Sequence, residues 1–381
     1  MVLTMTETSG APLRILHAVR SPVGGIIRHI LDLANGQIDR GHQVGIISGN
    51  LTGGERADAM LAKIAPRLGL GLHRLAIQRE PHPADITAAI HHLGLISRLK
   101  PQVLHGHGAK SGIYLRLKPA SPNVIRVYTP HGGSLHYPPN SLKGAFYARL
   151  ERAFMNRTDL FLFESEFARK TYEQVVGKPA GMVRCVFNGV TAAEFDPVAP
   201  AEDATDLLYV GQFWRIKGAD LLLDAVARLH ADGQPVTLTM AGDGEETDAL
   251  KAQIRRLNLE SSVRFLGFVS PRHAFTKGKI LVVPSRGDSM PYVVIEAAAA
   301  GVPIVAANVG GIPEIFGPHT HGLFAASSVG AMADAIETAL NDMDARRDNA
   351  RILRERVFAH FSQNAMVDGI LSAYRDALKI R

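Results

Sequence analysis

The stretch of sequence that decides the fold is LRILHAVRSPVGGIIRHILDLANGQIDRGHQVGII, residues 13–47. The apolar residues 13–19 predict a buried strand, residues 21–25 a tight loop, and residues 26–40 a helix whose apolar side chains share one face. A glycine ends the helix, and residues 44–47 form the next strand. Such a βαβ unit implies parallel strands with helices on both faces of the sheet.

The same alternation continues along the chain and restarts after a break. Further short strands are predicted at residues 103–105, 124–128 and 160–163. Residues 196–203 contain two prolines and little apolar content, which is typical of a linker. After this break the predicted strands are residues 207–210, 236–240, 263–266, 280–283 and 303–306. We therefore expect an α/β protein with two doubly wound, Rossmann-like domains that face a central cleft.

The chain is long enough for this division, because its 381 residues are about twice what one core usually organises. We expect five segments: a flexible N-terminus over residues 1–12, a first domain over 13–195, a linker over 196–204, a second domain over 205–362, and a C-terminal helix over 363–381 that could pack back on the first domain.

The composition is that of a globular protein. Apolar residues make up 46% of the chain and charged residues 20%, which excludes a disordered or collagenous chain. No run of 18 apolar residues occurs, and the first residues lack the basic and apolar segments of an export signal. The single cysteine, Cys185, excludes a disulfide within the chain and a cysteine-based zinc site. These features predict a cytoplasmic protein.

Basic residues are concentrated in the first half of the chain. Residues 1–200 contain 23 Lys and Arg against 14 Asp and Glu, whereas the remaining residues contain 19 against 22. The stretch 86–150 has eight basic residues and no acidic residue. We expect this half either to attract anions or simply to present a solvated basic face. No nucleic-acid partner is expected, because neither a zinc-finger spacing nor a basic heptad region accompanies the charge.

The most informative motif is PSRGDSMPYVVIEAAAAGVPIV, residues 284–305. A predicted strand is followed by a polar loop that carries Asp288, and a helix then begins near Tyr292 with Glu296 in its first turns. Asp288 would project beside the backbone N–H groups of residues 289–293, and such helix N-termini bind phosphate. The alternative is that Asp288 only caps the helix and Glu296 only favours the helix dipole.

This segment resembles the signature of glycosyltransferase family 4, the retaining GT-B transferases. The signature has two acidic residues eight positions apart, followed by a helix of small residues and G-x-P. The resemblance extends from Leu13 to about Tyr374 and implies a GT-B fold. It implies that Asp288, where the family usually has Glu, contacts hydroxyls of the donor sugar, and that Glu296 binds the ribose of the nucleotide. The donor-binding residues between them are Ser289, Met290, Pro291 and Tyr292.

A second block, YVGQFWRIKG, follows a predicted strand at residues 209–218. In the family an arginine often follows the glycine, and a lysine six residues beyond the glycine reaches the diphosphate. Lys217 matches that lysine, whereas Gln212 replaces the arginine. Arg215 is expected either to compensate for the missing cation or to be an ordinary solvated arginine. Fixed positive charge here would stabilise the leaving diphosphate as the glycosidic bond breaks.

The resemblance also implies roles for residues outside these two blocks. Gly24 and Gly25 match a loop that lies near the donor phosphates and sugar. His131 matches a histidine that approaches the sugar and phosphate, with a buried turn histidine as the structural alternative, and His107 is a candidate for acceptor contact. Val269 follows a strand whose backbone reads the nucleobase. Uracil and guanine are not distinguished, so a UDP-sugar and a GDP-sugar both remain open as donor.

No metal cofactor is expected. Eleven of the 16 histidines lie before residue 200, but H-x-H without a placed carboxylate is an incomplete ligand set. No Asp-x-Asp follows a predicted strand, and Lys217 together with helix N-termini can neutralise a diphosphate.

The resemblance implies a retaining hexosyltransferase. We expect it to move a hexose from a nucleoside-diphosphate sugar to a hydroxyl of a lipid-linked or oligosaccharide acceptor, in the assembly of exopolysaccharide or another cell-surface polysaccharide. The alternatives are a nucleotide-sugar 2-epimerase and a non-catalytic sugar-nucleotide binding protein. An NAD-dependent oxidoreductase is not expected, because no G-x-G-x-x-G follows either first strand.

A predicted helix over residues 141–157 suggests a membrane contact. Its apolar side chains can share one face beside several cations, and the two sets are Phe146, Tyr147, Leu150, Phe154 and Met155, and Lys143, Arg149, Arg152 and Arg157. Such a helix can lie in the interface plane of an anionic bilayer. The alternative is that the apolar face packs on the sheet. We expect peripheral contact with the inner face of the plasma membrane.

Overall fold

The computed structural model describes residues 11–132 and 141–380. The chain forms two compact units, and each is described by itself. The first unit comprises Met1–Leu162, Glu173–Arg184 and Gly369–Arg381, and the second comprises Phe163–Tyr172 and Cys185–Asp368. Residues 1–12 were expected to form a flexible N-terminus, and residues 1–10 of this segment lie outside the described residues.

The first unit contains a seven-stranded sheet. Its strands are β1 (Arg14–Val19), β2 (Gln43–Gly49), β3 (Gly71–Leu75), β4 (Val103–His107), β5 (Ile125–Thr129), β6 (Leu160–Phe163) and β7 (Met182–Cys185). They lie in the order β3-β2-β1-β4-β5-β6-β7. The pairs from β3 to β6 are parallel, as the βαβ pattern predicted.

The second unit contains a six-stranded parallel sheet. Its strands are β8 (Thr205–Val210), β9 (Leu238–Ala241), β10 (Val263–Gly267), β11 (Gly278–Val283), β12 (Ile304–Ala307) and β13 (Leu323–Phe324). They lie in the order β10-β9-β8-β11-β12-β13. Each neighbouring pair is parallel.

Helices connect these strands. In chain order they are α1 (Gly24–Asp39), α2 (Gly54–Ile64), α3 (Ala84–Leu99), α4 (Ala109–Arg116), α5 (Leu142–Met155), α6 (Glu166–Val175), α7 (Ala219–Ala231), α8 (Thr247–Arg256), α9 (Pro271–Phe275), α10 (Tyr292–Ala299), α11 (Ile312–Phe316), α12 (Val329–Asn341), α13 (Met343–His360) and α14 (Gln363–Lys379).

Apolar residues of α1 form part of the core of the first unit. Ile27, Ile30 and Leu31 pack in one cluster with Val44 and Ile46 of β2. Burial of each such side chain stabilises the fold by about 1.5–3 kcal/mol. Helix α1 begins at Gly24, two residues before its predicted start, so the glycine pair forms the first helical turn instead of the end of a loop.

The sheet of the second unit is covered on both faces. In β8, Leu207 and Tyr209 belong to one buried cluster, whereas Leu208 belongs to the other. Residues of β11 divide in the same way, with Ile280 facing one cluster and Leu281 the other. This alternation follows from the period of two residues along a strand, and it explains why residues 207–209 of β8 and 280–283 of β11 are apolar without interruption.

In each sheet one pair of neighbouring strands marks the point where the strand order reverses. That pair is β1 and β4 in the first unit and β8 and β11 in the second. Ligands of doubly wound sheets bind outside the carboxyl ends of the strands at such a switch point. We therefore expect ligand-binding residues at the ends of these four strands or in the loops that follow them.

The division into units differs from the predicted boundary at residue 195, because the chain packs with the second unit from Cys185 onward. A backbone contact explains the difference. Val190 donates its N–H to the carbonyl of Phe361, and a Cβ atom at Gly189 would lie 2.3 Å from the carbonyl oxygen of Ser362. The C-terminal helix is also divided, since α14 joins the first unit from Gly369.

Within residues 11–132 and 141–380, no helix combines the length and the apolarity that crossing a bilayer requires.

Candidate functional site

Two loops meet at the carboxyl ends of β8 and β11 in the second unit. Gly218 has a φ of 72°, and a Cβ atom there would lie 2.0 Å from the carbonyl oxygen of Pro284. Only glycine allows this approach of the two backbones. Arg286 adds a backbone hydrogen bond by donating its N–H to the carbonyl of Ile216 at 2.8 Å. The loop that ends at Gly218 is therefore held directly on the loop that follows β11.

This contact brings together two residues that the sequence singled out. The Nζ atom of Lys217 lies 2.6 Å from Oδ2 of Asp288, and the side chains are 27% and 13% exposed. The hydroxyl of Ser285 donates a longer hydrogen bond of 3.4 Å to the same oxygen. A charge-assisted hydrogen bond of this length holds both groups in place while leaving them partly accessible to a ligand.

A glycine pair supports the backbone of Asp288 from another side. A Cβ atom at Gly310 would lie 1.7 Å from the carbonyl oxygen of Asp288, and one at Gly311 would lie 1.8 Å from that of Ser289. The N–H of Gly311 donates to the carbonyl of Asp288 at 2.9 Å. This packing explains why glycine occupies both position 310 and position 311.

Helix α10 follows this loop with its N-terminus at Tyr292, as predicted. Its first-turn N–H groups have no acceptor within the helix and carry partial positive charge. Glu296 lies in the second turn and is 6% exposed. The side chain of Asn188 donates to the carbonyl of Met290 at 3.0 Å and so anchors the segment from Ser289 to Pro291 that leads into the helix.

The cations near Lys217 are held by an acidic residue. Arg215 is 69% exposed at its side chain and pairs with Asp220 at 2.7 Å. Arg286 binds both carboxylate oxygens of Asp220 at 2.7 Å each. Gln212 is half-buried, and its carbonyl accepts a hydrogen bond from the Tyr209 hydroxyl. Sequence reasoning missed Arg286, although an arginine two residues before the candidate acid was a usable signal.

Glu164, which follows β6 and belongs to the second unit, is a buried acid close to this site. Burial is the main cause that raises its pKa to about 7, and the negative charges of Asp288 and Glu314 raise the pKa further. Glu164 therefore keeps its proton up to about neutral pH. In this neutral form it places no negative charge beside Asp288. Nothing in the sequence around Glu164 marks it as unusual, because only tertiary packing buries its side chain.

Val269 lies just beyond β10, where it is half-buried ahead of the N-cap residue of α9, Ser270. The carboxyl end of β10 is where the sequence placed the nucleobase contact. Asp342, the first residue of the Asp-x-Asp near the C-terminus, caps α13 by accepting the N–H of Ala345 at 2.9 Å. Asp342 is thus explained by helix capping, and Asp344 lies in the first turn of α13, where an acid favours the helix dipole.

In the first unit, Gly24 and Gly25 are exposed in the first turn of α1. Gly24 has a φ of 55°, which favours glycine. Both glycines therefore lie just after the carboxyl end of β1, at the switch point of the first sheet, where the sequence expected a ligand-binding loop.

Histidines gather at the same switch point. His17 lies within β1 and is buried, and His105 and His107 lie within β4 and are also buried. His17 is paired with His105 in the register of the two strands. His29 of α1 and His131, two residues beyond β5, lie next to His107, and their own rings meet in a T-shaped arrangement with 5.0 Å between the centroids. Sequence reasoning noted the histidine content but did not foresee that five of these residues converge.

Four of these rings, those of His17, His105, His107 and His131, are neutral at pH 7. Burial, the largest cause, lowers the pKa of His17 to about 4. Burial and the neighbouring imidazoles lower the pKa values of His105, His107 and His131 well below 6.5.

Two sets of three histidines have ring nitrogens within 4.8 Å of one another: His17, His105 and His107, and His29, His107 and His131. Neutral imidazole nitrogens are zinc ligands, so the residue types would suit a transition metal. However, ring nitrogens of His17, His107 and His131 already hydrogen-bond to one another at 2.9–3.0 Å. A metal-free site stays a prediction.

The basic stretch 86–150 carries less accessible charge than its composition predicted. Four of its eight cations form ion pairs with acids from outside the stretch: Lys110 with Asp85, Arg116 with Glu151, Arg126 with Asp159 and Lys143 with Glu80. The guanidinium of Arg116 is fully buried, and the hydroxyl of Tyr128 donates to the same carboxylate at 2.6 Å.

Helix α5 buries a different face from the one its aromatic residues suggested. Its buried residues are Gly144, Ala148 and Glu151, which pack inward because Glu151 binds Arg116. Leu142 and Phe146 are 94% and 47% exposed.

Two parallel α/β units, each with candidate ligand-binding residues at its switch point, define the class of two-domain proteins with the GT-B fold. Two family descriptions match successive parts of the chain: "Glycosyltransferase Family 4" over residues 23–194 and "Glycosyl transferases group 1" over residues 191–356. The chain belongs to glycosyltransferase family 4, and its general activity is glycosyl transfer.

Known proteins support this assignment. A glycogen synthase of Mycobacterium tuberculosis is 25% identical over 380 residues, which cover 92% of this chain and 91% of that protein. The structure of sucrose-phosphate synthase from Thermosynechococcus elongatus matches with a TM-score of 0.80 at 22% identity, covering 96% of this chain and 99% of that chain. The Anabaena HepE protein in complex with UDP-glucose matches with a TM-score of 0.76 at 19% identity, covering 96% and 100%. The GT-B prediction is confirmed.

The raised pKa of Glu164 predicts how stability depends on pH. The unfolded chain releases this proton near pH 4.5, whereas the folded chain keeps it to about pH 7. Stability should therefore fall as pH rises from 4.5 to 7 and stay low above that. We expect Glu164→Gln to lie within about 1 kcal/mol of the wild type at pH 5 and to be more stable by up to about 3 kcal/mol at pH 8, measured by chemical denaturation.

The control is Glu202→Gln, which alters an exposed acid of the same unit. It should shift stability equally little at both pH values. An equal effect of Glu164→Gln at pH 5 and pH 8 would show that Glu164 does not titrate in this range.

Proposed function

We propose that this protein is a retaining, metal-independent hexosyltransferase that uses a nucleoside-diphosphate sugar. The acceptor is a hydroxyl of a glycolipid or oligosaccharide in cell-surface polysaccharide assembly. The observation that carries the proposal is the pair of Lys217 and Asp288 at the switch point of the second sheet, immediately before a helix N-terminus.

Lys217 and the first turn of α10 suit the diphosphate. Negative charge develops on the leaving diphosphate as the glycosidic bond breaks, and positive groups already in place stabilise that charge without reorganisation. Asp288 accepts one hydrogen bond from the ammonium of Lys217, which has three donors, so two remain to be directed at phosphate oxygens. Arg286 and Arg215 act less directly, because Asp220 holds both guanidinium groups.

Asp288 and Glu296 suit hydroxyl groups of the donor. Both hydrogen bonds to the Asp288 carboxylate fall on Oδ2, so we assign Oδ1 to a sugar hydroxyl. Glu296 is nearly buried, where a carboxylate that accepts hydrogen bonds from two ribose hydroxyls would be strongly selective. Ser289, Met290, Pro291 and Tyr292 would line the donor, and Val269 would contact the base.

In the first unit we assign Gly24, Gly25 and His131 to the donor and His107 to the acceptor side. The exposed glycines let a phosphate or sugar approach the backbone at the start of α1. No side chain is assigned as a nucleophile. In same-face substitution through an oxocarbenium-like transition state, the leaving phosphate takes the proton of the acceptor hydroxyl, and the glycosidic bond forms on the face that the leaving group vacates.

The exposed end of α5 supports a peripheral contact with anionic lipid. Leu142 and Phe146 are exposed apolar residues beside Lys143 and the exposed Arg149. Each cation close to an anionic bilayer contributes about 1 kcal/mol. Since four cations of the region are in ion pairs, we propose that the apolar residues contribute as much to this contact as the charges do.

A donor panel tests the proposed activity. Purified protein with UDP- and GDP-sugars in excess EDTA should release one nucleoside diphosphate, and the sugar should keep its anomeric configuration by NMR. Loss of this activity in EDTA with recovery on adding magnesium would contradict the metal-independent site. Formation of an epimeric nucleotide sugar would favour the epimerase, and binding without turnover across acceptors would favour the non-catalytic protein.

Substitutions separate the two acids. Glu296→Ala should weaken binding of the bare nucleoside diphosphate over 100-fold, because two charge-assisted hydrogen bonds of about 1.5–3 kcal/mol each are lost. Asp288→Asn should lower kcat more than it weakens this binding. Calorimetry and steady-state kinetics measure both effects, with thermal unfolding to confirm a folded chain. Wild-type nucleotide affinity in folded Glu296→Ala would overturn the ribose assignment.

Vesicle co-sedimentation tests the membrane contact. Vesicles rich in phosphatidylserine should retain the wild-type protein at low salt and release it at high salt, because screening weakens charge attraction. The double variant Leu142→Ser, Phe146→Ser should lose most of this binding. Its matched control is Phe358→Ser, which removes an exposed phenyl ring from the second unit. Equal, negligible binding to anionic and neutral vesicles would exclude the contact.

A further inference from the structure

A cavity of about 400 Å³ lies in the second unit at the amino ends of β12 and β13, with α12 and α13 as its other walls. The strands of this sheet are parallel, and the pair of Lys217 and Asp288 follows the carboxyl ends of β8 and β11. The cavity is therefore at the opposite edge of the sheet from that pair. Small-molecule sites in proteins have volumes of about 300–1,000 Å³. We call this space the amino-end cavity.

The floor of the amino-end cavity is apolar. Ile304, Phe316 and Leu353 line it and are buried. The two helices contribute small side chains to the walls, and these are Ala335, Ala339, Ala345 and Ala350. A methyl group fills little of the space between two helices, so these alanines leave room above the apolar floor. The cavity therefore suits the apolar part of a ligand.

Polar side chains with unused hydrogen-bonding capacity surround this floor. Arg346 and Asn349 of α13 line the cavity and are half-buried, whereas His319 and His321, which precede β13, line it and are exposed. Among the residues that the structure describes, the side chains of Asn349, His319 and His321 have no hydrogen-bond partner. The cavity thus combines an apolar floor with several side chains that can still bind a polar group.

Arg346 differs from the other arginines of α13. Arg347 and Arg351 pair with acids, at 3.8 Å and 2.9 Å. Arg354 and Arg356 each donate to two backbone carbonyls, at distances from 2.7 to 3.1 Å. Within the described parts of the chain, the guanidinium of Arg346 donates only to one carbonyl of α12, at a distance of 3.4 Å. Most of its five N–H groups are therefore available to a ligand.

A half-buried cation without an acidic partner favours an anion. Burial, the largest cause, and the charge of Arg347 lower the pKa of Arg346 below its ordinary value. The acid in the cavity lining, Asp342, forms no ion pair with Arg346 and accepts the N–H of Ala345 instead. A bound anion would compensate for the partial desolvation of the Arg346 guanidinium.

We propose that the amino-end cavity binds a small organic anion, whose carboxylate or phosphate group pairs with Arg346 and whose apolar part lies on Ile304 and Phe316. A guanidinium binds either group through two parallel hydrogen bonds. The amide of Asn349 supplies a further donor. None of the residues assigned to the donor sugar nucleotide lines this cavity, so the anion and the donor can be bound at the same time.

Methyl NMR with two probes tests the site. Phenyl phosphate and benzoate carry the two anionic groups on the same apolar ring, so their relative affinities show which anion the cavity prefers. In protein with 13C-labelled Ile, Leu and Ala methyl groups, at least one probe should shift the signals of Ile304, Leu323 and Ala339 in a saturable manner. No shift of these signals with either probe up to about 10 mM would overturn the proposal.

Two further compounds test whether both parts of the ligand count. Phenol has the ring without the anion, and inorganic phosphate has the anion without the ring. Each should bind at least about 10-fold more weakly than the better probe, because it loses either the charge-assisted hydrogen bonds or the apolar contact. Phenol that binds as tightly as the better probe would show that Arg346 does not recognise an anion.

Substitutions assign the binding to Arg346. Arg346→Gln should raise the Kd of the better probe at least about 10-fold. The matched control is Arg347→Gln, which removes the exposed neighbouring arginine and should keep the wild-type Kd. Equal Kd values for the two folded variants would overturn the assignment. Ala339→Leu gives a second variant, because it reduces the cavity while keeping Arg346 and should also weaken binding.

A variant of the proposed donor site separates the two proposals. Lys217→Ala removes the cation assigned to the diphosphate, and it should leave the shifts of Ile304 and Leu323 and the Kd derived from them unchanged. Loss of these shifts in folded Lys217→Ala would show that the probe acts through the donor site. If the wild-type protein binds no nucleoside diphosphate, the proposed function is wrong, while the methyl shifts still decide whether the amino-end cavity binds an anion.

Discussion

The carbonyl oxygen of Pro284 lies so close to Gly218 that no side chain larger than hydrogen fits between the two backbones. This contact places the loop before α7 directly on the loop after β11, and the pairing of Lys217 with Asp288 depends on it. Gly310 and Gly311 make the corresponding contact beneath Asp288 and Ser289. The charged groups of the second unit are therefore positioned by backbone packing, which is stiffer than a contact between long side chains. Preorganisation of this kind is what electrostatic stabilisation of a leaving group requires.

The two units stabilise their buried polar groups differently. In the second unit, cations and acids are paired near the candidate donor site, and Glu164 avoids a further buried charge because it keeps its proton to about neutral pH. In the first unit, buried histidines stay neutral and satisfy one another through hydrogen bonds. A neutral network retains hydrogen-bond direction without the cost of burying ions.

The basic stretch of the first half illustrates how composition and surface differ. Its charge count suggested a continuous anion-binding face, yet Arg116 is fully buried against Glu151 and Tyr128. That ion pair also sets the rotation of α5, because it turns Glu151 inward and leaves Leu142 and Phe146 exposed. The pair of Arg116 and Glu151 thus lowers the accessible positive charge and also leaves exposed the two apolar side chains on which the proposed membrane contact depends.

The sequence by itself determined the alternation of strands and helices and the placement of Lys217, Asp288 and Glu296 after strands of the second half. Each of these features is local: a strand or helix buries its own apolar face, and a turn needs its own glycine. The tertiary structure alone decided which residues meet. Lys217 and Asp288 are 71 positions apart, and His17 and His107 are 90 apart. The strand order that brings each pair together arises from long-range packing. The burial that shifts the pKa values of Glu164 and the histidines has the same origin. Neither can be predicted from the periodicity of apolar residues along the chain.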